Sequence, residues 1–228
     1  METVSTAPHA DAQALYVGEP IDGRRLPFPG GDRFSVTWSA IATAARTYQS
    51  LDTHRFLMTF CGAVGNDTWR HVRDAIDGVH HVAFYLGDYE REEQVFDWLT
   101  YLEELHTKKQ LQEVNMGPSY IAPKEYGTPG WWYSVTLPDG LVAEMFTCRA
   151  FRNWAERSPQ ERVSLMSHVG ILIKRENEVY SSLQILSRAN PAIETIAYVE
   201  EDEVGHTYGH LRNNREQRVV ELVHQAPR

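Results

Sequence analysis

Two histidines and two glutamates stand at matching places in two pairs of apolar stretches. Val79-His80-His81-Val82-Ala83-Phe84 is echoed by Met166-Ser167-His168-Val169-Gly170-Ile171. Leu141-Val142-Ala143-Glu144-Met145-Phe146 is echoed by Arg218-Val219-Val220-Glu221-Leu222-Val223. A carboxylate inside a Val/Leu/Phe run is costly to bury alone. Two of them at equivalent places, each matched by an imidazole, point to a shared divalent cation on His81, Glu144, His168 and Glu221. Two neutral imidazoles and two carboxylates suit iron(II), manganese, nickel, cobalt or zinc, whereas calcium prefers oxygen alone. Taken singly, each residue has an ordinary alternative: a packed histidine or a salt-bridged carboxylate. Glu144 could instead be an outer hydrogen-bond acceptor. Without it, two His and one carboxylate remain, the set of oxygen-activating iron enzymes. Strict alternation along a strand puts His80 on the face opposite His81.

Further candidates surround this set. His206, Tyr208, His210 and Arg212 alternate, so they share one face of a strand, either a solvated edge or a pocket wall. His206 or His210 would serve as a general base, because imidazole titrates near neutrality. Glu144 or Glu221 could also leave the metal to move a proton. Arg212 would hold a carboxylate or phosphate by its fork, and Tyr208 would meet the same substrate. Tyr85 has the parity of His81 and would reach a metal-bound molecule. Trp131 and Tyr133 share a face and Trp132 takes the other; Trp131 is the candidate for substrate stacking, with sheet packing as its alternative. Cys148 shares the face of Glu144 and reads as a buried thiol rather than a ligand. Phosphate-loop, zinc-finger, dinucleotide and serine-nucleophile signatures are missing.

The elements that must carry these residues can be traced. Residues 1–33 read as an irregular arm, broken by Pro20, Pro27, Pro29, Gly30 and Gly31. Residues 34–77 are helix-rich, with Asn66-Asp67-Thr68 as a cap and Gly78 as the stop. Strands are expected over 79–86, 112–121, 131–137 and 141–148, with a helix over 93–106 and a hairpin turn at Pro138-Asp139-Gly140. A linker follows, with helical turns expected over 151–156 and from Ser158. The order then recurs: strands over 167–174, 194–199, 204–211 and 218–224, with a helix over 176–188. This is an internal repeat. It predicts an α+β fold in which two βαβββ modules form a curved mixed sheet around a metal cleft. The expected units are an N-terminal arm and helical extension (1–78), a first module (79–150), and a linker with a second module (151–228).

On these residues the chain resembles the vicinal-oxygen-chelate superfamily, which includes glyoxalase I, methylmalonyl-CoA epimerase and extradiol dioxygenases. The resemblance covers roughly residues 79–225. It rests on His81-Val82-Ala83 followed by Asp88, on Pro138-Asp139-Gly140 four residues before Glu144, and on the second pair His168 and Glu221. The order His, Glu, His, Glu is similar to that of glyoxalase I, and it implies that these positions supply metal ligands. The implied chemistry is an isomerase, epimerase or glyoxalase-type lyase working through an enediolate-like anion. With a three-ligand shell it is an iron(II) dioxygenase. The superfamily also contains drug-sequestering members without metal residues; the four candidate ligands here argue against that role.

Bulk composition sets outer bounds. The 228 residues carry a net charge of -9, with 42% hydrophobic and 23% charged residues. A core of normal size can form. The acidic balance argues against a nucleic-acid surface and leaves a small-molecule substrate as the partner, with a homodimer possible. Two cysteines, no signal-like start and no apolar run of membrane length make a soluble cytoplasmic protein the expectation.

Overall fold

The structure is a computed structural model and describes residues 28–62, 64–150, 167–202, 205–216 and 218–226. Most of the arm over 1–33, and the helical turns expected near 151–156 and 158, lie outside the described residues. Three helices come first: α1 (Phe34–Gln49), α2 (Thr53–Cys61) and α3 (Asn66–Ala75). Asp52 caps α2 by accepting from the backbone N–H of Arg55. The chain then enters β1 (Ile76–Tyr89) directly. Gly78, expected to stop a helix, therefore lies inside a strand, because α3 already ends at Ala75.

After β1 come α4 (Glu92–Thr107), β2 (Glu113–Pro118), a π-helical turn (Ala122–Tyr126), β3 (Gly130–Thr136) and β4 (Val142–Arg149). Then follow β5 (His168–Ile173), α5 (Glu176–Ala189), β6 (Ile193–Val199), β7 (His206–Asn213) and β8 (Arg218–Gln225). The Pro138-Asp139-Gly140 turn is present, with Gly140 at φ 86°, a conformation that favours glycine.

The strands form one mixed eight-stranded sheet in the order β2-β3-β4-β1-β5-β8-β7-β6. β1 and β5 pair antiparallel at its centre. On one side β1 runs parallel to β4, and β3 and β2 follow antiparallel. On the other side β5 runs parallel to β8, and β7 and β6 follow antiparallel. β1 is longer than the sequence suggests because three register breaks let it continue. Two lie against β5, between Ile76 and Gly78 and between Val79 and His81; the other, between Tyr85 and Asp88, lies against β4. Gly87, at φ 98°, sits in the break against β4.

The two faces of the sheet differ in chemistry, and alternation decides which residue goes where. Val82, Phe84, Ala143, Met145, Val169, Ile171, Val220 and Leu222 face the helices. They share one continuous core with Trp98 and Leu102 of α4, Leu183 and Leu186 of α5, and Ile41, Leu57 and Val72 of α1–α3. Each such large side chain contributes about 1.5–3 kcal/mol on burial. On the other face a smaller cluster joins Ala83, Tyr85, Phe146, Cys148 and Val219 to Ile121, Ala122 and Tyr126. The turn after β2 thus folds over this second face. Gly130 permits that, since a Cβ there would collide with Ala122 and the carbonyl of Thr147. No helix among the described residues is long and apolar enough to cross a membrane.

Candidate metal centre

Five neighbouring strands each bring one donor to the second face. Reading across the sheet, these are Glu144 (β4), His81 (β1), His168 (β5), Glu221 (β8) and His210 (β7). Register aligns them: Ala83 faces both Glu144 and His168, Gly170 faces both His81 and Glu221, and His210 faces Glu221. His81 Nε2 lies 3.0 Å from His168 Nε2. Glu221 Oε2 lies 3.2 Å from His168 Nε2, 3.0 Å from His210 Nε2 and 3.9 Å from His81 Nε2. Glu144 Oε2 is 3.9 Å from His81 Nε2. His81, Glu144 and His168 offer donor atoms all within 4.8 Å of one another, as do His168, His210 and Glu221. In a flat sheet, next-but-one strands stand about 10 Å apart. The long imidazole and carboxylate side chains span that gap and meet above the sheet.

Burial sets the charge states. His81 and His168 are buried, and Glu221 is nearly so. Burial first, then the neighbouring imidazoles, hold His81 well below its ordinary value, so it is neutral. Burial alone would raise Glu221, but His210 beside it, with a hydrogen bond from His168, outweighs that and holds it well below its ordinary value, an anion. Glu144 retains 27% of its side-chain surface. Burial, and then the charge of Glu221, push it up to about 7.

The other candidates from the sequence fall in several places. His210 was expected as a base; it sits among the donors. His206 stands further along β7, its ring 6.0 Å edge-on from that of His80. Tyr208 lies between them, 5.9 Å ring to ring from His210, and its hydroxyl hydrogen-bonds that of Tyr120. Burial first, with nearby carboxylates adding to it, pushes Tyr208 to about 12, so its phenol keeps its proton. Arg212 has the same parity; its Nε is buried without a hydrogen-bond partner. Tyr85 is on the metal face, but its hydroxyl donates to Asp88, beside the Cys148 thiol, rather than toward the donors. Trp131, the stacking candidate, lies on the helix face of the sheet. It packs on Phe96 of α4, and Trp132 joins the second-face cluster instead. Parity is the reason: Trp132 pairs with Phe146 and Ser134 with Glu144.

Sequence reasoning also misplaced His80. The break between Val79 and His81 cancels the alternation there. The His80 ring therefore lies beside that of His81, with the two Nδ1 atoms 2.8 Å apart. Tyr120, from the turn after β2, carried no periodic signal. Alternation placed His210 on one face of its strand, but its position opposite Glu221 comes from the register of β7 with β8.

The donor set fits a divalent cation on several counts. His210 Nε2 is buried and lies 3.0 Å from Glu221 Oε2. Separations of 3.0 and 3.2 Å between donors are what bonds of about 2.1 Å to a common ion produce. Neutral imidazoles with carboxylates favour a transition metal over calcium or magnesium. Gly170 supplies the room, since a Cβ there would overlap the His81 ring.

Comparison with known proteins adds little. No family model matches the sequence, and no curated protein matches it either. Among solved structures, a glyoxalase family protein from Bacillus cereus is 14% identical, with a TM-score of 0.22 over 52% of this chain and 78% of its own. A xylose isomerase-like TIM barrel/4-hydroxyphenylpyruvate dioxygenase fusion protein is 12% identical, with a TM-score of 0.36 over 65% of this chain. The match spans 26% of that fusion protein. Overlaps of that size do not carry an assignment, and the functional reading rests on the strand order and the donor geometry above.

Proposed function

We propose that this protein is a metal-dependent enzyme acting on a small substrate with two neighbouring oxygens. His81, His168 and Glu221 would hold one divalent cation, with Glu144 and His210 at its margin. The observation that carries this reading is a pair of three-donor groups that share His168 and draw on five adjacent strands. The bound cation would supply Lewis-acid polarisation of a chelated oxygen. Glu144 is the residue suited to move a proton. It is the more accessible of the two carboxylates in the cluster, within reach of a substrate held at the cation. It would take the proton at Oε2 from a carbon beside the chelating oxygens and return it at another position. Tyr208, with its phenol protonated, would donate to a substrate oxygen that gains charge. This is isomerase, epimerase or glyoxalase-type lyase chemistry. The repeated strand order supports reading 79–150 and 151–228 as paired βαβββ modules, with 1–78 as an added helical extension.

A second reading has its own observation. The three innermost donors are two imidazoles and one carboxylate, the facial set of iron(II) oxygenases. Elemental analysis of protein purified without chelators tests the shared premise. A stoichiometric divalent metal is expected in the wild type and should be lost in His168→Ala. A wild type that neither carries nor takes up metal would end both readings. Turnover retained without oxygen on manganese or nickel supports the first reading; oxygen uptake that requires ferrous iron supports the second.

A further inference from the structure

The most informative residue outside the donor set is one that ordinary strand geometry would have sent elsewhere. His80 would point into the helix-side core if β1 were regular. The register break between Val79 and His81 turns it back onto the metal face. A bulge of this kind leaves a residue out of the ladder and so needs a compensating gain. The structure shows what surrounds the displaced ring. His80 Nδ1 lies 2.8 Å from His81 Nδ1, and His80 Nε2 lies 3.4 Å from Gln225 Oε1 on β8.

We propose that His80 is a positioning residue that fixes which nitrogen of His81 faces the cation. The logic is a proton count along three groups. An amide oxygen only accepts, so the His80 nitrogen facing Gln225 carries a proton. A neutral His80 then has a bare Nδ1, which accepts from His81. The single proton of a neutral His81 is thereby held on Nδ1, away from the centre. His81 Nε2 is left with a free lone pair, aimed at the place where His168, Glu144 and Glu221 meet it. One amide oxygen on β8 therefore sets the tautomers of two imidazoles on β1. The arrangement also ties the far end of β8 to the centre, four residues beyond its donor Glu221. Partners of this outer kind orient a ligand and raise its basicity, and their loss costs 10–100-fold in metal affinity. This inference rests on the reading that the cluster binds a cation.

The test uses cobalt(II), with affinity measured by competition against a chelating dye and ligation by its visible absorption bands. His80→Phe keeps a ring but removes the acceptor. Its affinity should fall about 10–100-fold, with a shifted cobalt spectrum. His80→Asn places an amide oxygen near the lost Nδ1 and should recover most of that affinity. Gln225→Leu should weaken binding in the same direction, and it decides the matter if His80→Phe does not fold. Thermal melts of the metal-free variants separate ligation from folding. A folded His80→Phe or Gln225→Leu with wild-type cobalt affinity and an unchanged spectrum overturns the proposal. So does a variant that is less stable without metal yet binds as tightly as the wild type. If the wild type itself binds no cobalt, the metal reading fails first, which is a distinguishable result.

Discussion

Gly170 shows how the centre depends on what a side chain leaves out. It lies directly across from His81 on the neighbouring strand, and its missing Cβ is the space the imidazole occupies. Gly170→Ala should push that ring off the shared point. Overpacking of this kind costs about 1–3 kcal/mol, and the metal should be lost or bound far more weakly. A thermal melt and a chelator competition measure the two effects; wild-type affinity in this variant would show that His81 has another place to go. At this scale the sequence was informative in part. His81, Glu144, His168 and Glu221 are legible because two strands echo two others, and a carboxylate in an apolar run needs a reason. His80 was not legible, since alternation holds only while the ladder is unbroken and a bulge leaves no mark in composition. His210 was read as a base, although its register opposite Glu221 makes it a neighbour of the donors.

The element that separates structure from chemistry most clearly is β3. Its two tryptophans point to opposite sides of the sheet. Trp131 packs on Phe96 and the helix-side core, while Trp132 joins the cluster on the metal face. Trp131→Leu should lower stability by about 1–3 kcal/mol and leave KM near its wild-type value. Trp132→Leu should alter KM with a smaller change in melting temperature. Urea unfolding and steady-state kinetics on an identified substrate check the pair; the reverse pattern would mean that the faces are exchanged. The sequence located the strand but not which face mattered, because parity within β3 says nothing until its register with β4 is known. The turn after β2 is a similar case. It carries Tyr120 across to Tyr208, joining opposite sides of the sheet. That contact has no signature in local periodicity.

The described residues form one mixed sheet with helices on one face and the candidate donors on the other. The strand order was largely legible, because the sequence of strands and helices repeats. The register breaks in β1 were not, since a bulge leaves no mark in composition. Metal should stabilise this arrangement as a whole, because its donors come from both sides of the central β1–β5 pair. Binding to the folded state alone, at free metal about 100 times Kd, adds about 2.7 kcal/mol. For a chain of this size that raises the melting temperature by roughly 5–10 °C. Differential scanning calorimetry with and without added metal measures it, and no shift at saturating metal would argue against a shared site.

If the site takes a cation as proposed, the placement of its donors on five different strands has a consequence for how that ion would be acquired. No single hairpin offers more than a fragment of the site, and Glu221 joins only when β8 docks against β5. Affinity therefore arises late, when the sheet is nearly complete. Which metal ends up in the protein is then decided by what is exchangeable around the finished molecule, rather than by what the emerging chain meets first.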